Sequence, residues 1–496
     1  MTTSITKLEP RSLWKHFSDL NAVPRPSQKE ERVIQFMIDF GKKLQLKTIL
    51  DPVGNIIMTK PATKGYENRK PIVLQSHLDM VHQKNSETVF DFENEGIKML
   101  IERDWVIADG TTLGADNGLG VAAIMAVLSS NDVQHPLIEA LFTIDEEIEM
   151  TGAKGLKPGI LKGEILLNLD TEEDDEIDIG CAGGIDVTAT RNYLEERAPK
   201  DMVALKITIK GLKGGHSGTD IHKGFGNANK LMNRLIYQGL KHFELRIAEL
   251  EGGGLKNAIP RESFCVLMVN EELKKTFLVE IKIFIEAIKT EFKTIEPDLS
   301  IDVITIKPPE KVMNLEVQEG FIKAVYGATN GVYKLSSQVP NLVETSNNIA
   351  RIVAKNGTIS IDCLSRSSSE SSKYDLSNSL RCCFELAGFE VEFSGAYPGW
   401  KPNIDSEILK ISTSLYERLF GEKAKVVACH AGLECGILSQ NYPSMDIISF
   451  GPTIRGAHSP DERVSILSVQ KFWKFLLNIL KKIPEKKELQ KHSKIV

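Results

Sequence analysis

The sequence predicts an α/β protein in which a discontinuous domain with a central, mostly parallel sheet is interrupted by an α+β insert of ferredoxin-like type. Three observations carry this. Up to about residue 185, helical patterns such as "EERVIQFMIDFGKKL" alternate with the short apolar runs "IVLQS", "LIEALFTI" and "EILLNLD", the order of a sheet whose crossovers are helices. Near residue 200 the pattern becomes strict alternation in "ALKITIKGL", with Leu205, Ile207 and Ile209 set against Lys206, Thr208 and Lys210, as in a strand with one wet face. After "AYPGWKP" the α/β pattern returns. The expected boundaries are 1–186 and 398–496 for the discontinuous domain and 187–397 for the insert.

Within the first segment, "IVLQSHLDMV" reads as a central strand that finishes on His77 and Asp79; two residues apart on a strand share a face, so the carboxylate can orient the imidazole. The glycine-rich "TTLGADNGLGVAAIMAVL" leads into a helix just after Asp116. In the insert, a helix "NANKLMNRLIYQGLKH", a strand "ESFCVLMV", a second helix with Phe277, Ile281, Ile285 and Ile288 at three-four spacing, and a strand "LSIDVITI" follow the first strand. This β-α-β-α-β order suggests the ferredoxin-like plan. Next comes a hairpin, "IARIVAKNGTISIDCLS", turning at Asn356-Gly357, then a helix from Ser367 and a strand "FEVEFSG"; two related halves are conceivable, although no repeat is visible. The last segment holds a helix near 404–420, strands "AKVVA" and "MDIISFG", and a final amphipathic helix, "SILSVQKFWKFLLNILKKI".

Composition narrows the function. The 496 residues carry a formal net charge of -6, which offers no basic excess for nucleic-acid phosphates. Seven cysteines, scattered and odd in number, lack the paired spacing of a zinc ribbon and read as reduced thiols. The N-terminal stretch has no signal-peptide core, and the longest apolar run, "VAAIMAVL", is too short to cross a bilayer. A cytoplasmic protein with small-molecule partners, no nucleic acid and no membrane is expected, with the lysine-rich end "KKIPEKKELQKHSKIV" as a solvated tail.

The chemistry lies in a set. Besides His77 and Asp79, acids stand where strands pass into loops or a helix begins: Asp116, Glu146 and Glu147 after "ALFTI", and Asp170 at the end of "EILLNLD"; His458 follows the strand "MDIISFG". In an open parallel sheet such positions converge on one crevice. Taken singly, each acid reads equally as a cap or a wet loop residue, and His82, His135 and His222 show that spare histidines exist. Two imidazoles and several carboxylates without a thiolate suit two borderline divalent ions, zinc first, with cobalt or manganese also fitting. His77, Asp116 and Asp170 would serve one ion, and Asp116, Glu147 and His458 the other, with Asp116 bridging. Glu146 is then the proton carrier and Asp79 the partner that sets the His77 tautomer.

The stretches "SHLDMV", "TLGADNGLG", "DEE", "NLDTEE", "GGHSGTDIHKGFGNANKL", "NAIPRE" and "GPTIRGAHSPDE" resemble the metallopeptidase M20 family. "IGCAGGIDVT", "AYPGWKP" and "CHAGLECG" bring the resemblance closest to its aminoacyl-histidine dipeptidase branch. It runs from about residue 70 to 465 and implies a dinuclear catalytic domain interrupted by a lid. It implies the same five metal ligands, with Asp79 and Glu146 catalytic. In the lid it implies His216 as a donor to the substrate carbonyl oxygen, Asn257 as a polar contact, Arg366 as the grip on a free carboxylate, and the segment around Gly432 and His430 as further substrate contacts. A turn histidine and a solvated arginine are the plainer readings of His216 and Arg366. Local departures are His82, Glu149 and Thr219. The expected function is metal-dependent hydrolysis of unblocked dipeptides, including β-alanyl-histidine. An N-acyl-amino-acid amidohydrolase of the same architecture and a catalytically silent metal-dependent binding protein are the alternatives. The lid leaves two arrangements open, pairing with a second copy or an internally supplied surface, with a homodimer favoured.

Overall fold

The computed structural model describes residues 4–486; the tail from residue 487 onward lies outside the described residues. The chain falls into two compact units. The first comprises the chain up to Gly180, Pro402–Ala428 and the chain from Ile437; the second comprises Cys181–Lys401 and Cys429–Gly436. The expected boundaries gave all of 398–496 to the discontinuous domain, but Cys429–Gly436 packs with the second unit. There the Ala182 N–H donates to the carbonyls of Cys429 and Ala431, both at 3.0 Å.

The first unit is built on an eight-stranded sheet in the spatial order Lys47–Leu50, Ile56–Lys60, Ile138–Thr143, Ile72–His77, Ile165–Asn168, Asp446–Ser449, Glu176–Cys181, Lys425–Cys429. Four neighbouring strands, from Ile138–Thr143 to Asp446–Ser449, run parallel. Lys47–Leu50 and Ile56–Lys60 add antiparallel on one side, and Glu176–Cys181 adds antiparallel on the other. The sheet is therefore mixed, and parallel where the site stands. Ile72–His77, Ile138–Thr143 and Ile165–Asn168 are buried at every residue, as strands covered on both faces must be.

Several of their polar side chains bond one another or a neighbouring strand. Gln75 Nε2 donates to Thr143 Oγ1 (3.1 Å), Asn168 Nδ2 donates to Gln75 Oε1 (2.5 Å), Ser449 donates to Asn168, and Thr171 bonds both Ser449 and Asp178 at 2.8 Å. Hydrogen bonding is what makes such burial tolerable. The final helix, Ile466–Lys482, seals the core with Phe472, Phe475, Leu476, Ile479 and Leu480; truncating a fully buried leucine such as Leu476 to alanine costs about 2–5 kcal/mol.

The second unit carries a nine-stranded antiparallel sheet: two β-α-β-β-α-β halves of four strands each, and Gly331–Leu335 paired to Val343–Lys355. The first half is Met202–Lys210, helix Ala228–His242, Arg246–Gly253, Ser263–Asn270, helix Lys274–Phe292 and Ser300–Ile306, with Ser300–Ile306 beside Met202–Lys210 and Arg246–Gly253 at the far edge. The strand Arg246–Gly253 completes a plan that sequence reading had left one strand short. The second half is Gly183–Asn192, helix Leu315–Gly327, Val343–Lys355, Thr358–Ser367, helix Glu370–Glu385 and Glu390–Tyr397, in the same spatial order. The first half is thus nested between the first strand and first helix of the second. Arg246–Gly253 pairs with Val343–Lys355 to join them. Asn356 and Gly357 have φ of 52° and 78°, the left-handed pair that a tight hairpin requires.

Candidate functional site

The carboxyl ends of the parallel strands deliver the acids and histidines to one place. His77 is the last residue of its strand, Asp79 lies two beyond it, Glu146 and Glu147 follow Ile138–Thr143, and Asp170 follows Ile165–Asn168. Asp116 stands in the first turn of Ala115–Ser129 but has non-helical φ/ψ of −83° and 112°, and its peptide bond to Asn117 is cis. His458 reaches in from the loop after Ile454–Arg455, with φ of 64°.

The two oxygens of Asp116 face different histidines: Oδ1 lies 3.2 Å from His77 Nε2, and Oδ2 lies 3.2 Å from His458 Nε2. His77 Nε2 is also 3.4 Å from Asp170 Oδ1 and 4.0 Å from Glu146 Oε2, and His458 Nε2 is 2.9 Å from Glu147 Oε2. Donor atoms within 4.8 Å of one another form three groups: His77, Asp116 and Asp170; Asp116, Glu147 and His458; and His77, Glu146 and Glu147.

Asp79 is fully buried. Its Oδ1 lies 3.4 Å from His77 Nδ1 and accepts the Glu146 N–H at 3.0 Å. Its Oδ2 accepts the Glu147 N–H (3.2 Å) and the Ser27 hydroxyl (2.8 Å). One carboxylate therefore fixes both the imidazole and the turn that presents the two glutamates.

The electrostatics of the cluster are unbalanced. Hydrogen bonds to Asp116 and Glu147 raise His458 to about 11. Burial, with Asp116 nearby, raises Glu147 to about 6. Glu172 goes up to about 8, first through burial and then through Asp116. Burial would raise Asp116 too, yet the bonds from His458 and His77 hold it well below the ordinary carboxylate range. Burial works against charging His77, but Asp170, Asp116 and Asp79 together raise it.

So many carboxylates in a desolvated cluster need positive charge among them. Glu147 Oε1 is buried without a hydrogen-bond partner. If the His77 proton sits on Nδ1 against Asp79, the lone pair of Nε2 points at Asp116 and Asp170. Donor types, the unsatisfied oxygen and that lone pair all fit divalent cations; a metal-binding site is compatible with these residues.

Sequence reading missed two buried groups that hold the site's backbone. The Glu462 carboxylate accepts the N–H groups of Leu113, Gly114, Ala115 and Asp116 at 2.8, 2.9, 2.7 and 3.2 Å. The Arg25 guanidinium donates to the carbonyls of Leu78 (3.0 Å), Asp79 (3.1 Å) and Gly114 (2.6 Å). Together they tie the segments bearing His77, Asp116 and His458. Glu462 is four residues past His458, which was a usable hint. Arg25, in "VPRPS", gave none. Asn117, whose amide donates to Asp170, and Ser27 were missed as well.

The remaining predicted residues gather in the second unit. His216 Nδ1 accepts the N–H groups of Gly218 (3.2 Å) and Thr219 (3.1 Å), so its proton sits on Nε2. Arg366 donates to Tyr397 Oη at 2.8 Å, and its Nη2 stands 3.4 Å from His216 Nε2. Two donors facing each other share an acceptor better than they bond each other. Burial, then the Arg366 charge, lowers His216 to about 4, and the same two causes lower His430 to about 3.

His430 bonds Ser346 at 2.8 Å, and its carbonyl oxygen would lie 2.1 Å from any Cβ at Gly218, so the His216 loop and the Cys429–Gly436 segment interlock. Asn257 is exposed; its carbonyl accepts the Ser217 N–H at 2.7 Å, which sets it beside His216. Gly432 lies in the same segment, two residues past His430.

Known proteins share this sequence and fold. The cytosol non-specific dipeptidase of Escherichia coli (strain K12) is 41% identical over 484 residues, spanning 98% of this chain and 100% of the relative. The crystal structure of aminoacylhistidine dipeptidase from Vibrio alginolyticus matches with a TM-score of 0.92 at 44% identity, covering 98% of this chain and 99% of the other. Aminopeptidase PepT from Bacillus cereus shares the fold at 16% identity and a TM-score of 0.56, over 96% and 99% of the two chains. The family model described as peptidase family M20/M25/M40 matches residues 73–482, and the chain belongs to that family.

Proposed function

We propose that this chain is a metal-dependent dipeptidase that cleaves the single peptide bond of unblocked dipeptides, Xaa-His types among them. The observation that carries the reading is the pair of donor groups sharing Asp116, with Glu146 at their edge. Near-full-length identity to a protein named cytosol non-specific dipeptidase supports it.

His77, Asp116 and Asp170 would hold one divalent ion, and Asp116, Glu147 and His458 the other; zinc is the proposed metal, with cobalt or manganese as substitutes. Such ions supply an acidified water and polarisation of the scissile carbonyl. Glu146 takes the proton of the attacking water and returns it to the leaving amine. Asp79 keeps the His77 proton on Nδ1 and holds the Glu146 turn.

His216, neutral and with its proton on Nε2, donates to the carbonyl oxygen as negative charge develops there. Arg366, steadied by Tyr397, grips the substrate's free carboxylate. Asn257, His430 and Gly432 complete the contacts on that side. A site that engages both ends of a short peptide limits substrate length.

The proposed location is the cytosol, where the name of the Escherichia coli relative places that protein; among the described residues no helix is long and apolar enough to cross a membrane. A homodimer through the second unit is also proposed. Ser300–Ile306 is an edge strand with Ile304 55% exposed, and the neighbouring helix leaves Val279 and Ile283 uncovered. Sedimentation at 55.1 kDa rather than twice that mass would remove the dimer.

The deciding experiment strips the protein with a chelator, restores zinc, cobalt or manganese, and offers β-alanyl-histidine, ordinary dipeptides and N-acetyl-histidine. Metal-restored cleavage of the unblocked dipeptides alone is expected. Cleavage of only the acetylated compound would make the chain an acyl-amino-acid hydrolase, and bound metal without any cleavage would make it a binding protein.

A further inference from the structure

We propose that Tyr397 binds the substrate directly, its hydroxyl donating to the same free carboxylate that Arg366 grips, and that Tyr397 and Ser217 together make the site refuse a C-terminal amide. The inference rests on the dipeptidase reading and adds to it a substrate-binding residue and a substrate class. It stands on residues of the second unit alone.

The sheet supplies the placement. Ser346, Arg366, Gly184 and Tyr397 form one register line across four antiparallel strands: Ser346 opposite Arg366, Arg366 opposite Gly184, and Gly184 opposite Tyr397. Residues directly opposite one another share a face. A Cβ at Gly184 would lie 2.6 Å from the Tyr397 ring and its Oη, so the missing side chain is what lets the ring lie across that strand and reach Arg366.

The count of donors supplies the chemistry. Arg366 is 4% exposed, and a guanidinium has no acceptor of its own. Its Nη1 donates to Tyr397 Oη at 2.8 Å and its Nε to Ser217 Oγ at 3.4 Å, while Nη2 faces His216 Nε2, which bears that ring's proton. Each hydroxyl oxygen therefore accepts from the guanidinium, and its own proton turns elsewhere. Among the described residues no acceptor takes either proton.

Burial pushes the Tyr397 phenol above its ordinary value although Arg366 pulls the other way, so that proton is present at neutral pH. The carboxylates whose charge reaches this cluster are engaged: Asp220 accepts the His216 N–H (2.8 Å) and Lys223 Nζ (2.6 Å), and Asp186 pairs with Lys256 at 2.8 Å. The guanidinium, the imidazole N–H and two hydroxyls thus stand together without an anion. A carboxylate brings two oxygens, about four lone-pair sites and a charge to satisfy them. A primary amide brings N–H donors instead, and both hydroxyl oxygens are already taken; donors left unpaired are what reject an analogue most strongly.

The test measures kcat and KM on the metal-restored protein for Ala-Ala and its C-terminal amide, in the wild type, in Tyr397→Phe and with 3-fluorotyrosine in place of Tyr397. The wild type should prefer Ala-Ala at least about 100-fold in kcat/KM. Tyr397→Phe should raise KM for Ala-Ala about 10-fold or more with kcat little changed, the mark of lost binding to a charged group, and should narrow the preference over the amide. Phenylalanine also deprives Arg366 of an acceptor, so fluorotyrosine separates the two roles. Its phenol is the stronger donor and the weaker acceptor: a direct bond to the substrate lowers KM, whereas a phenol that only steadies Arg366 raises it.

A KM that is unchanged or raised with fluorotyrosine, or a Tyr397→Phe variant that keeps the wild-type KM, overturns the assignment of Tyr397, and equal cleavage of the amide overturns the exclusion. In each case cleavage of Ala-Ala leaves the dipeptidase reading intact. Metal-loaded wild type that cleaves neither compound would overturn both.

Discussion

The two units answer opposite electrostatic needs. In the first, Asp79, Asp116, Glu147 and Asp170 crowd around two imidazoles, and the histidines are driven toward their charged form. In the second, His216 and His430 are driven toward neutrality beside the Arg366 cation, and the facing groups are donors. One cluster is short of cations and the other is short of an acceptor. Histidine is the same residue in both, so its environment sets its task. A dipeptide with a polarisable carbonyl and a free carboxylate offers what the second cluster lacks, and divalent metal offers what the first lacks.

The contrast breaks most easily at Glu146. Glu146→Gln should lower kcat by about 10³–10⁴-fold, the upper range for a positioned acid–base, while metal content measured by emission spectrometry stays at the wild-type level; near-normal turnover would remove the proposed mechanism. Next in size, His216→Ala should cost about 10²–10³-fold in kcat, as loss of an oxyanion donor does, with little change in bound metal. Arg366→Lys keeps the charge but loses the fork, and a rise in KM that lowers kcat/KM by roughly 10–100-fold is expected, because such paired bonds add about 1.5–3 kcal/mol.

Glu462→Gln sharpens the first cluster without replacing a proposed ligand. Its amide would turn donors toward backbone N–H groups, so metal affinity measured by chelator competition should fall about 10–100-fold, with activity recovering at excess metal. The smallest effect concerns titration. Arg366→Gln should raise the His216 pKa, followed by NMR, from about 4 part of the way toward 6.5, since burial, the larger cause, remains. Because the unfolded chain protonates first, His216 withdraws stability as pH falls from 6.5 through about 4, and is without effect above that window.

Much of this was readable in advance for physical reasons. Uninterrupted apolar runs such as "IVLQS" and "EILLNLD" report burial on both faces, and a charged residue closing such a run marks a strand's exit. Asn356-Gly357 reports a hairpin because few other pairs adopt its backbone angles.

What escaped was of another kind. Glu462 and Arg25 act through N–H and C=O groups, which every residue carries, so no pattern of residue types reveals their partners. The strand Arg246–Gly253 alternates Ile247, Leu250 and Gly252 through a register shift between Ile247 and Glu249, which blurs its period. The allegiance of Cys429–Gly436 to the second unit depends on long-range backbone bonds and on the packing of Gly218 against His430.

The nesting of one half of the second unit inside the other sets an order of events during synthesis. Met202–Ile306 is contiguous and makes its own sheet from neighbouring segments, so it can collapse as it leaves the ribosome. Its host half must hold Gly183–Asn192 unpaired until Thr358–Ser367 arrives. The first unit waits longer still, because Asp446–Ser449 belongs inside its sheet and Asn168 meets Ser449 from 281 positions away. A nascent chain halted before that strand would carry a finished inner half and a sheet with an open seam, the species on which a chaperone would act.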